Sequence, residues 1–521
     1  MTGKSFVYGT LILLLGSLFN RILGFTYQVL MIRLIKPEGI GLFTMVYPIY
    51  ILVLVIATAG IPVAISKLVA EELAVNNPRG AYRIFNICFL ILVINSIFFT
   101  ILCFFGSPLL LEYVFPNPKV YYIFLSLLPG IIIVSLCSAF RGFFQGLQEM
   151  APTAFTQSLE QMVRVFFGLL LAYLLLPRGV EYAAIGASVG VVLGELAGFL
   201  SILIIFFKYR PRPVFCLPAP PVEPLSRSAA RIFNLAFPVT MSRLVSSSLL
   251  SVDAVLIPQR LQACGLNLTE STSAFGQFVG IAESLLFTPG IITVSLATSL
   301  IPAVSNALAV NNLRLVRSRC EDAIRISLLA GLPSAAVFFT LSEELCDIIF
   351  GYPEAGASLK ILALGGPFLY LQQATTGILQ GMGEASRPFR NLVFASFFKI
   401  IGIYYLTGLP ELGILGTATA FVTGYMIMAW LNILDIYELT GLKLDFKKHL
   451  LKPLLSSAGM GSLILLVKCH LHTNTGSAQF SAALALLSGI FFYFFLLISS
   501  GAVNNNDIIR LKNIFSFKPR F

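Results

Sequence analysis

The sequence predicts an all-α polytopic membrane protein of about 14 transmembrane helices. They form two six-helix lobes related by a pseudo-twofold axis along the membrane normal, plus two C-terminal helices. Three observations carry this expectation. The 521 residues are 57% hydrophobic and only 11% charged, with a mean hydropathy of +0.88, too little charge to solvate a soluble protein of that length. Apolar windows of about 20 residues, enough to cross ~30 Å of hydrocarbon, recur along the whole chain. Segments of the first half also reappear in the second.

Taken in order, the expected spans are 5–32, 39–64, 82–106, 121–146, 153–176, 182–207, 229–257, 274–303, 321–342, 358–382, 389–408, 412–434, 451–469 and 479–499. The first begins after Lys4, lacks a small-x-small cleavage site and runs on past Arg21, so it reads as an uncleaved helix. Between the sixth and seventh spans, KYRPRPVFCLPAPPVEPLSRS is too rich in proline for helix and reads as an extended strap. The expected organisation is therefore an N-terminal lobe (1–207), a cytoplasmic Pro-rich linker (208–228) and a C-terminal lobe (229–437). Two additional helices (438–500) and a basic cytoplasmic tail (501–521) follow.

Basic residues fix the expected orientation. With the N-terminus inside, 24 of the 35 lysines and arginines fall in cytoplasmic segments, Arg141 among them, against seven outside. The positive-inside rule then places both termini in the cytoplasm of a multi-pass plasma-membrane protein. The net charge of +11 is spread over short loops, which is a topological pattern and not a nucleic-acid patch. One Trp beside 45 Phe and 18 Tyr leaves the latter two to fill the interfacial belts. The eight cysteines show no CxxC spacing and read as small core residues. His470 and His472 have no third ligand nearby, so no metal and no cofactor are expected.

The internal repeat is read from four echoes. Ile61-Pro62 leading through Ser66 matches Ile301-Pro302 leading through Ser305, and Ala74-Val75-Asn76-Asn77 matches Ala309-Val310-Asn311-Asn312. Gln145-Gly146-Leu147-Gln148-Glu149 is echoed by Gln380-Gly381-Met382-Gly383-Glu384, and Gly186 and Gly194 by Gly416 and Gly424. Six spans return the chain to the same side, so the copies are parallel, an arrangement that carriers use to hold substrate between rocking halves. Prolines 62, 129, 238, 289, 302 and 367, in or at the ends of spans, mark kinks that rocking can use.

Four cations, Arg21, Arg164, Arg243 and Lys399, lie inside apolar spans, where a charge costs at least ~3 kcal/mol unless it meets water or a partner. They form matched pairs: Arg164 and Lys399 in the fifth and eleventh spans, Arg21 and Arg243 in the first and seventh. Lining a cleft between lobes, they would suit an anion, arginine through its planar fork and lysine as a point charge. Four acids also lie in spans: Glu160, Glu195, Asp253 and Glu283. Glu160 is four residues before Arg164 and pairs with it on one face. Glu195 and Glu283 are the better candidates for ion or proton coupling. The bland alternative is that every cation is neutralised and only locks helices together. With no phosphate-binding Gly-rich loop and no Ser/His/Asp set, no enzyme chemistry is expected.

Phe19-Asn20-Arg21-Ile22-Leu23-Gly24-Phe25, Gly39-Ile40-Gly41-Leu42-Phe43, Gly60 through Glu71, and Arg141-Gly142-Phe143-Phe144-Gln145-Gly146 resemble the stage V sporulation protein B family and its polysaccharide-biosynthesis relatives. These belong to the multidrug/oligosaccharidyl-lipid/polysaccharide (MOP) flippase superfamily. The resemblance implies a flippase in a spore-forming bacterium. It would move a peptidoglycan or polysaccharide precursor, a polyprenyl-pyrophosphate-linked saccharide, for the spore cortex. The related lipid II flippases depend on cavity arginines; their first-span pattern matches at Arg21, Leu23, Gly24 and Phe25, but Tyr27 replaces a second arginine. Their eighth-span Asp-Arg pair is matched by Glu283 and Ser284. The implied substrate is thus lipid II or another polyprenyl-pyrophosphate saccharide. Two other classes compete. A multidrug antiporter of the same superfamily needs acids in its first span, where this chain has Arg21. A non-transporting scaffold would have cell-wall synthases as partners.

Overall fold

The structure, a computed structural model, describes residues 3–75, 77–209, 225–442, 445, 447–475 and 478–501. Most of the expected strap and the basic tail beyond residue 501 lie outside the described residues. The described chain is helical throughout, and twelve candidate membrane spans are found in it. One of these, Gly16–Ala74, contains two passes, because Lys36 adopts a non-helical φ of 62° and ψ of 169° inside α1 (Gly3–Thr58). Adding α13 (Ala355–Gly381), whose 27 residues also suffice to cross, brings the count to the fourteen expected.

Two compact units form. The first comprises Met1–Gln262 and Leu266–Gly276, the second Ala263–Gly265 and Gln277–Phe521. The first unit contains α1, α2 (Ile61–Ala74), α3 (Pro78–Tyr113), α4 (Tyr121–Gly146), α5 (Ala151–Leu175), α6 (Val180–Tyr209), α7 (Leu225–Ala263) and α8 (Leu268–Gln277). Its core is aromatic: Phe85, Phe140, Phe143 and Phe206 from α3, α4 and α6 pack in tilted and edge-to-face pairs at ring separations of 4.9 to 5.8 Å. The sequence boundary expected at 208–228 precedes α7, but packing groups α7 and α8 with the first six spans. The reason is a line of contacts along α7. Arg231 binds Glu72 at 2.9 Å and Glu71 at 3.1 Å, Ser251 Oγ donates to the Pro48 carbonyl at 3.1 Å, and Gln262 Nε2 donates to the Pro116 carbonyl at 3.2 Å. Gly60, at φ 61°, lets Ala236 of α7 approach so closely that a Cβ there would lie 2.6 Å from its carbonyl oxygen.

The second unit begins with a π-helical turn, Phe278–Glu283, followed by α9 (Ser284–Phe287), α10 (Gly290–Ala309), α11 (Leu313–Thr340), α12 (Ser342–Phe350) and α13. Then come α14 (Ser386–Leu406), α15 (Ile414–Thr440), α16 (Lys452–Thr475) and α17 (Ala478–Ser499). Leu300 and Val304, Val316 and Ile324, and Ile378 and Ala429 form its main core, from α10, α11, α13 and α15. The last two helices pack through Met460, Ile464, Ala485 and Leu497 with Leu341.

Each unit repeats the other's local joints. Val75 ends α2 with φ −95° and ψ 17°, and Val310 ends α10 with φ −95° and ψ 15°. Asn77 and Asn312 then cap α3 and α11, each accepting a backbone N–H at 3.0 Å, from Gly80 and Leu315. The ends of α4 and α13 match as well: Glu149 N donates to Phe144 O, and Glu384 N to Leu379 O. A Cβ at Gly142 would sit 2.6 Å from the Pro62 carbonyl, and one at Gly377 would sit 2.6 Å from that of Ala297. This last pair corrects one expected echo. Pro62 corresponds to Ala297, so Ile61-Pro62 and Ile301-Pro302 are out of register by five residues. Each helix ends three residues before its capping Asn, α2 at Ala74 and α10 at Ala309, which fixes the register from that end. Pro62 opens α2, whereas Pro302 lies inside α10.

Candidate functional site

The midspan cations are held in three different ways. Arg21 lies near the middle of the α1 segment before Lys36, and Arg243 lies near the middle of α7. Both are exposed, and neither makes a hydrogen bond or ion pair among the described residues. A guanidinium at such a depth is not stable against hydrocarbon, so each requires water or an anion beside it.

Arg164, on α5, is enclosed. Its Nη2 donates to Glu160 Oε1 and to Glu195 Oε1, both at 2.7 Å, and Arg141 Nη2 on α4 donates to Glu160 Oε2 at 2.8 Å. Arg141 Nε also reaches Thr156 Oγ1 at 3.4 Å. The four charged side chains retain only 11 to 17% exposure, and two cations balance two acids. What brings Glu195 to Arg164 is the register of α5 against α6, which glycines set. Gly186, Gly190, Gly194 and Gly198 recur every fourth residue on α6 and let the α5 backbone approach. A Cβ at Gly186 would lie 2.7 Å from the Leu171 backbone, and one at Gly194 would lie 2.9 Å from Arg164 Cβ. Tyr27, Tyr47 and Tyr50 of α1 lie within electrostatic reach of the cluster.

In the second unit, Lys399 on α14 packs against Gly424 of α15, 3.2 Å from where a Cβ would stand, just as Arg164 packs against Gly194. The acids do not recur. Ala395 stands four residues before Lys399, and Tyr425 follows Gly424 where Glu195 follows Gly194. The Lys399 ammonium lies 4.6 Å from the centre of the Phe421 ring. Glu283 closes the π-helical turn in this unit, a type of irregularity that often marks function. Asp253 is 7% exposed on α7.

Arg164, Glu160 and Glu195 are therefore together in one unit. Arg21 and Arg243 stand apart from that cluster, without an acid among the described residues. Sequence reasoning gave Arg164 its local partner Glu160 but missed two members of the cluster. Arg141 falls among the 24 basic residues that the positive-inside count places in cytoplasmic segments. Glu195, expected only as a candidate for ion or proton coupling, stands 31 residues from Arg164, beyond any local spacing rule. The four-glycine ladder on α6 was the available signal for that contact.

A family model described as polysaccharide biosynthesis protein matches residues 6–308, and a MatE model matches residues 278–405. Stage V sporulation protein B of Bacillus subtilis (strain 168) is 32% identical over 455 residues, covering 87% of each chain. The lipid II flippase MurJ of the same strain is 24% identical over 439 residues, 80% of each. Among solved structures, a lipid II flippase MurJ in an inward closed conformation has a TM-score of 0.72 at 17% identity, covering 93% of this chain and 98% of that one. At that identity the structural likeness speaks for the fold alone.

Proposed function

Because the chain belongs to the polysaccharide biosynthesis protein family, within the MOP superfamily, we propose that it is a flippase for an anionic lipid-linked saccharide. It moves a peptidoglycan or polysaccharide precursor across the plasma membrane by alternating access, in the formation of the spore cortex. Arg21 and Arg243 hold the pyrophosphate oxygens, while the polyprenyl tail stays in the bilayer. The observation that carries this reading is the pair of exposed midspan arginines, Arg21 and Arg243, with no protein partner among the described residues. Such cations cost several kcal/mol each, and a doubly charged headgroup in a wet cleft offsets that cost.

Reconstituted vesicles loaded with labelled polyprenyl-pyrophosphate saccharides test it. Wild-type protein is expected to move at least one of them between leaflets, and Arg21→Ala and Arg243→Ala to slow the movement at least ~10-fold at equal protein levels, since one lost charge-assisted contact costs ~1.5–3 kcal/mol. Unchanged translocation in both variants would overturn the assignment. Efflux of cationic dyes by the wild type would favour a multidrug antiporter instead.

A further inference from the structure

Two glutamates share Arg164 but do not depend on it equally. Glu160 is held by two cations, Arg141 at 2.8 Å and Arg164 at 2.7 Å, whereas Glu195 is held by Arg164 alone. When Arg164 turns away, Glu160 keeps Arg141. Glu195, only 8% exposed, loses its ion-pair partner, and Arg141, within electrostatic reach but paired with Glu160, is left to balance two acids. The other titratable groups near the cluster are Tyr27, Tyr47 and Tyr50 on α1 and Cys137 on α4, none of them positively charged. An unpaired carboxylate in such a place is disfavoured relative to its protonated form.

Three further observations bear on how Arg164 and Glu195 are held. Its Nε has no hydrogen-bond partner among the described residues, and the side chain keeps 17% exposure. Tyr50, 1% exposed and within electrostatic reach of Glu195, has a hydroxyl with no hydrogen-bond partner among the described residues. In the second unit, α14 and α15 pack over equivalent glycines with Ala395 and Tyr425 in place of the acids. At the level of Lys399 that hairpin packs without the two acids, its buried carboxylate, Asp435, pairing with Arg387 and Arg390 at another point, so close glycine packing at this level does not require Glu195.

We propose that Glu195 is a proton-binding site coupled to anion binding. When Arg164 turns from the glutamates to a phosphate oxygen of the substrate, Glu195 takes up one proton from the aqueous phase. This deepens, and rests on, the reading of the chain as a carrier of a pyrophosphate-linked lipid. In the step, the Nη2–H···Oε1 bond to Glu195 breaks, a bond from Arg164 to phosphate forms, and an O–H bond forms on the carboxyl. When the substrate leaves, Arg164 returns and the proton departs. The negative charge of the ligand and the proton thus enter together, so binding tightens as pH falls.

Full-length protein in detergent, titrated with farnesyl pyrophosphate as a soluble prenyl pyrophosphate, provides the test. Its Kd is measured by calorimetry near pH 6 and pH 8 for the wild type and for Glu195→Gln, a near-isosteric change. The ligand's own titration is common to both proteins, so the quantity read is the difference between them. The ratio of Kd at the higher pH to Kd at the lower is expected to be about 10-fold larger in the wild type. Repeating the titration in buffers of different ionisation enthalpy is expected to show about one more proton taken up per ligand in the wild type than in the variant. Equal ratios and equal proton uptake overturn the proposal. If they are equal while Arg21→Ala still stops translocation, coupling at Glu195 falls and the flippase reading stands. If the wild type translocates no labelled precursor, both fall.

Discussion

Individual residues carry some cost that their counterparts in the other unit avoid. Gln148 follows the end of α4 with φ 60°, in the left-handed region, while Gly383 occupies the same place after α13 with φ 83°. Both joints make the same backbone hydrogen bonds, so the conformation is demanded by the turn and not by the side chain. A residue with a Cβ pays roughly 1–2 kcal/mol there, against about 0.5–1 kcal/mol of extra chain entropy for glycine. Gln148 is exposed, and a Cβ at Gly383 would meet nothing within 4 Å, so backbone strain decides both cases. Gln148→Gly is therefore expected to raise stability, and Gly383→Gln to lower it, by about 1 kcal/mol or less in each direction, read as a small shift of the apparent Tm in detergent. Opposite shifts would show that these side chains do more than end a helix.

At the scale of elements, the same capping asparagine does different work in the two units. Asn312 caps α11 through its Oδ1. Asn77 caps α3 in the same way, but its Nδ2 also donates to Glu72 Oε2 at 2.8 Å, and Glu72 Oε1 in turn receives Arg231 of α7 at 2.9 Å. Aspartate keeps the cap but removes the donor. Asn312→Asp is thus expected to leave stability near wild type. Asn77→Asp, which places a second carboxylate against Glu72, is expected to cost ~1–2 kcal/mol and to loosen the α2–α7 contact. Apparent melting temperatures and hydrogen exchange across 225–240 would read the two effects, and equal behaviour of the two variants would contradict this account. These joints were legible in the sequence because a cap needs one residue type at one place, which leaves the Ala-Val-Asn-Asn echo in both halves. The ion cluster was legible only in part. The Glu160–Arg164 contact follows from helical spacing, but the contacts to Glu195 and Arg141 depend on how α4, α5 and α6 slide against one another, which charges alone do not reveal.

Across the whole molecule, composition and apolar windows gave the number of passes because a bilayer allows few other solutions for so apolar a chain. They did not give the grouping of α7 with the first six spans, which depends on particular contacts such as Arg231 with Glu71 and Glu72. Orientation rests on loop charge, and the cysteines offer a direct check of it. Cys469 is exposed beside Lys468, at an end of α16 expected to face outward, whereas Cys216 belongs to the expected cytoplasmic strap, outside the described residues. Cys346, on the short helix α12, is fully buried, and burial pushes its thiol up to about 12, so it stays unreactive near neutral pH. In variants retaining only Cys469 or only Cys216, a membrane-impermeant maleimide is expected to label the first in intact cells. It should label the second only after permeabilisation. The reverse pattern would place both termini outside and turn the whole charge argument over, because the 24 basic residues would then face the wrong side of the membrane.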